Sequence, residues 1–261
     1  MFAYEIGSGT PVVLLHGFGL DHQSLLPLEP IFEKSLGWRR IYLDLPGATQ
    51  SAAGGITSSQ RIADAVVEEI SAHVGDEPFA VLGNSFGGMI ARYVAHSPRS
   101  RVLGLATIAG VFVAPHAERI VPSRKVLHHE PEVVSILGTA LEQYREDAVV
   151  ESVSDARAFL QYVLPGVVGA DDTALERIAR SCSLEHEPED RHPEPFTQPT
   201  LLITGRQDDV VGSADAWDRL EHYPSASFAA LDGAGHNLLF ERSALCAFLI
   251  EDWLARVRRG Y

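Results

Sequence analysis

Two hydrophobic periods alternate along most of the chain. Residues 2–6, 11–15, 40–43, 79–82 and 102–108 are short apolar runs that read as strands. Residues 11–15 are β-branched and apolar enough for burial on both faces of a parallel sheet. Between these runs, residues 29–36 and 57–74 carry apolar positions at helical spacing, the second through Ile62, Val66, Ile70 and Val74. Residues 89–94 read as a buried helix that follows the run ending at Gly83 after one sharp turn. From about residue 113 to 195 the alternation stops. Helical patterns there are separated by Pro and Gly, clearest over 154–164 and 171–181, and a charged, Pro-rich connector spans 185–193. Strand and helix then alternate again over 199–204, 213–220, 227–231 and a last helix from about 239 to 257. There is no internal repeat and no low-complexity tract.

Alternating strands and helices predict an α/β fold whose mostly parallel sheet is doubly wound, with helices on both faces. A purely helical block between two of its strands predicts a cap inserted over the carboxyl edge. The expected organisation is a core of residues 1–112 and 196–261 and a cap of residues 113–195. Ligands of open α/β sheets bind at that edge. The strand-end turns at His16-Gly17, Ser85 and Gly205 would gather there.

Composition narrows the classes of partner. A length of 261 residues suits one large domain, or a domain with an insertion. The net charge of −14 argues against nucleic acid and anionic membrane, and reads as solubility. Cys182 and Cys246 form no short-spaced pair and suggest reduced thiols. The first residues show no basic region followed by a long apolar stretch, and no run is long enough to span a bilayer. A cytoplasmic monomer or homodimer acting on a small molecule is therefore expected.

Candidate chemistry centres on Gly83-Asn84-Ser85-Phe86-Gly87-Gly88. Gly-x-Ser-x-Gly alone is weak, but here it joins a strand to a helix, where a serine is lifted above the sheet edge beside backbone N–H groups. A serine hydroxyl needs a base, and the base an orienting acid. Two late strands end in such residues: Gly205-Arg206-Gln207-Asp208-Asp209, and Gly233-Ala234-Gly235-His236.

With His16-Gly17-Phe18-Gly19 and Asp44-Leu45-Pro46-Gly47 added, the chain resembles the α/β-hydrolase superfamily over nearly its whole length. The resemblance implies Ser85 as nucleophile, His236 as general base and Asp208 as the residue fixing its tautomer. The backbone N–H groups of Phe18 and Phe86 would form the oxyanion hole. Asp209 competes with Asp208, and the family spacing from Gly205 favours Asp208. His16 reads as a loop-positioning residue, while His22 could face pocket or solvent. Thr49 stands where the family turn usually carries another glycine, which touches the loop's shape and not the triad. Serine at the nucleophile position argues against the haloalkane dehalogenases and epoxide hydrolases of this fold, which use aspartate. His116, His128, His129, His186 and His192 lack ligand spacing, so no metal or organic cofactor is expected.

The expected activity is a serine hydrolase that cleaves a small, mostly apolar ester, thioester or lactone through an acyl-enzyme. Alternatives are carbon–carbon bond hydrolysis of ring-cleavage diketones, cofactor-free haloperoxidase or perhydrolase activity, and non-catalytic binding of a small ligand. Against the first of these, Asn237 stands where that family commonly has tryptophan. Phe18, Phe86, Val111, Phe112 and Leu239 are the expected pocket walls. Phe159, Leu160 and Val163 are candidates from the cap and read equally well as the core beneath it. Arg124 and Arg206 are the nearby cations.

Overall fold

The apolar runs become the middle of a sheet. In the computed structural model, which describes residues 1–260, β1 (Ala3–Ile6), β2 (Thr10–Leu15), β3 (Trp38–Leu43), β4 (Phe79–Asn84) and β5 (Val102–Ile108) come first. β6 (His128–His129) and β7 (Val150–Glu151) form a short parallel pair of their own. β8 (Thr200–Gly205) and β9 (Ala226–Leu231) complete the seven-stranded sheet, in the order β1-β3-β2-β4-β5-β8-β9. Only β1 runs antiparallel, against β3; the other pairings in this sheet are parallel. The fold is the mostly parallel, doubly wound α/β arrangement that the alternation predicts.

β8 is buried along its whole length and β4 as far as Gly83, as expected of strands covered on both faces. The helix Ser59–Val74 buries Ile62, Val66, Ile70 and Val74, the positions that carry its period. Ser58 caps it by accepting from the Arg61 N–H, and Gly75 ends it at φ 57°. Every residue of the helix Phe86–His96 is buried. The last helix comes in two pieces, Leu238–Glu241 and Ser243–Arg259, because Arg242 leaves helical geometry at φ −131°. No helix among the described residues is long and apolar enough to cross a membrane.

Residues 113–195 contribute no strand to the seven-stranded sheet. They build a cluster of their own from Val133, Leu137, Tyr144, Phe159 and Val163. The helical run from Val153 to Gly169 widens into a π-type turn at Phe159–Val163, just before Pro165, which has no N–H for the preceding turn. The β6–β7 pair is too short to produce an alternation readable in sequence.

The charged connector is not a solvated strip. Glu189 is 1% exposed and Arg92, on the helix behind Ser85, is 0% exposed. Arg92 donates to Glu189 through Nε (2.7 Å) and Nη2 (2.6 Å), to Glu187 at 3.0 Å and to the Val111 carbonyl at 3.0 Å. Tyr223 Oη donates to Glu189 as well, and the guanidinium lies 4.2 Å from the Phe112 ring centroid. Buried charges persist only when paired and hydrogen-bonded in this way.

Candidate active site

β4 ends at Asn84 and its helix starts at Phe86, so Ser85 alone makes the turn, at φ 52° and ψ −118°. A non-glycine residue in such a conformation costs on the order of 1–3 kcal/mol, and the surroundings must hold it. The Ser85 N–H donates to Ile108 O at 2.9 Å, and its carbonyl accepts from Gly88 (2.9 Å) and Val111 (3.1 Å). A Cβ on Gly83 would stand 2.1 Å from Gly87 O, and one on Gly87 2.2 Å from Leu15 O. Only glycine fits either side of the turn. Ala109, at the end of the neighbouring β5, is the other non-glycine residue at positive φ among the described residues, at 46°.

Three strand ends converge at this point. His236 Nε2 lies 2.9 Å from Ser85 Oγ, and its Nδ1 lies 3.0 Å from Asp208 Oδ2. The Asp208 side chain is fully buried, and its Oδ1 accepts from the N–H groups of Val210 and Val211, both at 2.9 Å. Asp209 turns away and faces Arg124 at 3.6 Å. Burial opposes the Asp208 charge, but His236 and the two backbone donors outweigh it and hold the carboxyl below its usual range. Burial likewise opposes a charge on His236. Asp208 beside it, with a smaller push from Asp147, outweighs burial and lifts the imidazole to about 9.

The loop in front of Ser85 is fastened at both ends. His16 Nδ1 donates to Gly17 O at 2.7 Å, so Nε2 accepts the Leu45 N–H at 2.8 Å. Both ring nitrogens are used in the neutral form, and burial lowers the pKa. His22, left open between pocket and solvent, is buried. Its backbone N–H and Nδ1 both reach Asp44 Oδ1, at 2.7 and 2.9 Å. The stretch from Gly17 to Asp21 is thus tied to Asp44 and Leu45. It presents Phe18, whose ring packs edge-on against Phe86 with centroids 5.3 Å apart. As the first residue of its helix, Phe86 leaves its own N–H without an intrahelical partner.

A cavity of about 370 Å³ opens onto Ser85 and His236. Phe18, Leu239, Phe159 and Val163, four of the residues named from the sequence, line it. The other expected walls lie elsewhere. Phe86 faces a small neighbouring void, Val111 joins the main core, and Phe112 packs with Leu202 and Ala216. Leu160 packs within the apolar cluster of residues 113–195. Arg206 is exposed, and Arg124 is engaged with Asp209 and the Glu146 and Ala148 carbonyls. The sequence reading missed Gln143, Glu146, Asp147, Asp172 and Leu175, all of which line the cavity. A helical period names a buried face without saying what that face meets. Among the described residues no basic side chain other than His236 lines the cavity, and Glu146, Asp147 and Asp172 bring carboxylates to it. Among the described residues no group of three His, Cys, Asp or Glu side chains could hold a metal ion.

A family model described as alpha/beta hydrolase fold matches residues 10–128. The pimeloyl-[acyl-carrier protein] methyl ester esterase of Vibrio campbellii is 25% identical over 252 residues, which is 93% of this chain and 94% of that protein. The (E)-2-((N-methylformamido)methylene)succinate hydrolase of Acinetobacter baylyi is 32% identical over 118 residues, 44% of this chain and 43% of that one. Among solved structures, an alpha/beta superfamily hydrolase from Oenococcus oeni PSU-1 matches with a TM-score of 0.92 at 25% identity, over 98% of this chain and 96% of that one. By its sheet order, its strand-to-helix serine turn and these likenesses together, the chain has the α/β-hydrolase fold and is similar to the hydrolases of that superfamily.

Proposed function

We propose that this hydrolase cleaves a small, mostly apolar ester, thioester or lactone through an acyl-enzyme on Ser85. The observation that carries the reading is the continuous relay Asp208–His236–Ser85, at 3.0 and 2.9 Å, ending on a strained serine. His236 Nε2 takes the Ser85 proton as Oγ attacks the carbonyl carbon, and Asp208 steadies the imidazolium that forms. The N–H groups of Phe18 and Phe86 receive the developing oxyanion; losing one such donor typically costs ~2.7–4 kcal/mol. The imidazolium then hands its proton to the departing alcohol or thiol. Water, deprotonated by the same nitrogen, releases the acid and restores Ser85.

In this reading residues 113–195 are the cap and the rest is the core, with the acyl group between them. Phe18, Phe159, Val163 and Leu239 suit an apolar chain, and the carboxylates of Glu146, Asp147 and Asp172 disfavour an anionic one. The Vibrio campbellii relative, named for a methyl ester, supports ester chemistry. A fluorophosphonate probe should modify Ser85, read by peptide mass spectrometry, and the protein should turn over p-nitrophenyl esters. Ser85→Ala should do neither. A native protein inert to both reagents would refute the proposal.

A further inference from the structure

One carboxylate joins the loop that bears His236 to the segment packed over it. Glu241 ends the short helix Leu238–Glu241 and stands outside the catalytic cavity. Its Oε1 accepts from the N–H groups of Val149 (2.8 Å) and Val150 (3.0 Å), and its Oε2 from the Gly235 N–H at 2.6 Å. Gly235 immediately precedes His236. Val149 and Val150 lie just beyond Asp147, which lines the cavity together with His236. The two backbones are closely fitted, since a Cβ on Gly235 would stand 2.7 Å from Val149 Cγ1 and 3.1 Å from Asp147 O.

We infer that Glu241 is a positioning residue, which locks residues 147–150 to the His236 loop and so keeps the Asp147 carboxylate beside the imidazole. The inference rests on His236 being the general base. Three backbone donors on two partly buried segments find their acceptors in one side chain, so a change at that side chain disturbs all three bonds together. The Asp147 carboxylate makes no hydrogen bond or ion pair among the described residues, so its charge is not spent on a partner. The groups acting on His236 are Asp208, Asp147 and, in opposition, Arg119. Burial raises the pKa of Glu241 against its three N–H partners, and Asp155 adds to the rise.

Glu241→Gln separates the two attachments. A carboxamide offers one oxygen, so its NH2 must face either Gly235 or the Val149–Val150 pair, donor against donor. The test follows the His236 ring titration by NMR in native protein, Glu241→Gln and Asp147→Asn. Amide exchange at Gly235, Val149 and Val150 and the pH profile of kcat/KM on p-nitrophenyl butyrate accompany it. Glu241→Gln should exchange faster at those amides, lower the His236 pKa and cut kcat/KM by roughly tenfold to 10²-fold, mainly through kcat. Asp147→Asn should lower the same pKa with the amides still protected; if Glu241→Gln does not fold, an unchanged His236 titration in Asp147→Asn alone overturns the inference. An unchanged His236 titration in both variants, or a loss of thermal stability with kcat/KM and its pH profile intact, would overturn the inference. A native protein inert to esters would sink the hydrolase reading instead, while the NMR titration would still decide the role of Glu241.

Discussion

Glu189→Gln is the sharpest perturbation of the scaffold behind the serine. The variant keeps an oxygen to accept from Tyr223, but places an NH2 against the Arg92 guanidinium, which is buried and cannot give up its charge. Removing one partner of a buried pair costs about 3–5 kcal/mol, because the survivor is left uncompensated. Titration gives a second route to the magnitude. Burial alone would raise the Glu189 pKa, yet Arg92 and Tyr223 hold it down, from 4.5 to about 2. At 1.36 kcal/mol per pH unit, that depression corresponds to about 3 kcal/mol of stability. Glu187, half-exposed and still within 3.0 Å of Arg92, keeps the loss at the lower end. A loss of that size lowers Tm by roughly 6–12 °C in a chain of this length. Because the folded pKa is depressed, the stabilisation is complete above 4.5 and disappears as pH falls toward 2. Urea unfolding at pH 7 and across that acid window checks both statements. A Glu189→Gln protein within about 1 kcal/mol of native at pH 7, or one with the native slope of stability against pH, would refute the reasoning.

Three further outcomes follow from the site. His236→Ala and Asp208→Asn should each remove most turnover from a folded protein, and combining either with Ser85→Ala should cost little more, because in the proposed mechanism the three act as one unit; additive losses in kcat would count against this. The kcat/KM profile should rise with pH through a limb displaced above 6.5 in the direction of 9, since His236 must be neutral to accept a proton and Asp208 favours its charged form. A limb at or below 6.5 would contradict the electrostatics. Butyryl and octanoyl esters should exceed succinyl esters in kcat/KM, given three carboxylates around the cavity and no basic side chain there besides His236; a succinyl preference would mean that a cation enters from elsewhere.

Legibility in the sequence tracked the locality of the cause. Gly83, Ser85 and Gly87 are readable because one tight turn dictates all three residue types within five positions. Asp208 and His236 are readable because each follows the short apolar run of a strand, β8 buried throughout and β9 half-buried. Val111 and Phe112 also follow such a run, yet they do not reach the cavity: Arg92 binds the carbonyl of one and covers the ring of the other. That guanidinium lies 97 positions from the carboxylate that fixes it, and no local pattern records such a pairing. Glu146 and Asp147 sit between a short helix and a two-residue strand, where neither hydrophobic period has room to repeat. The connector at 185–193 reads only as charged and Pro-rich, and the burial of its Glu189 is invisible without the tertiary partner.

Ser85 and Ala109 are the two non-glycine residues at positive φ among those described, and they end adjacent strands of the sheet. Glycine at either place would relax the backbone and lower the free energy of the folded state, by on the order of 1–3 kcal/mol. On backbone strain alone, glycine would therefore be the better residue at position 85. Against that relaxation stands the hydroxyl, the one group that glycine would not supply. Ser85→Gly should therefore leave a sturdier protein that lacks the hydroxyl on which the proposed mechanism depends.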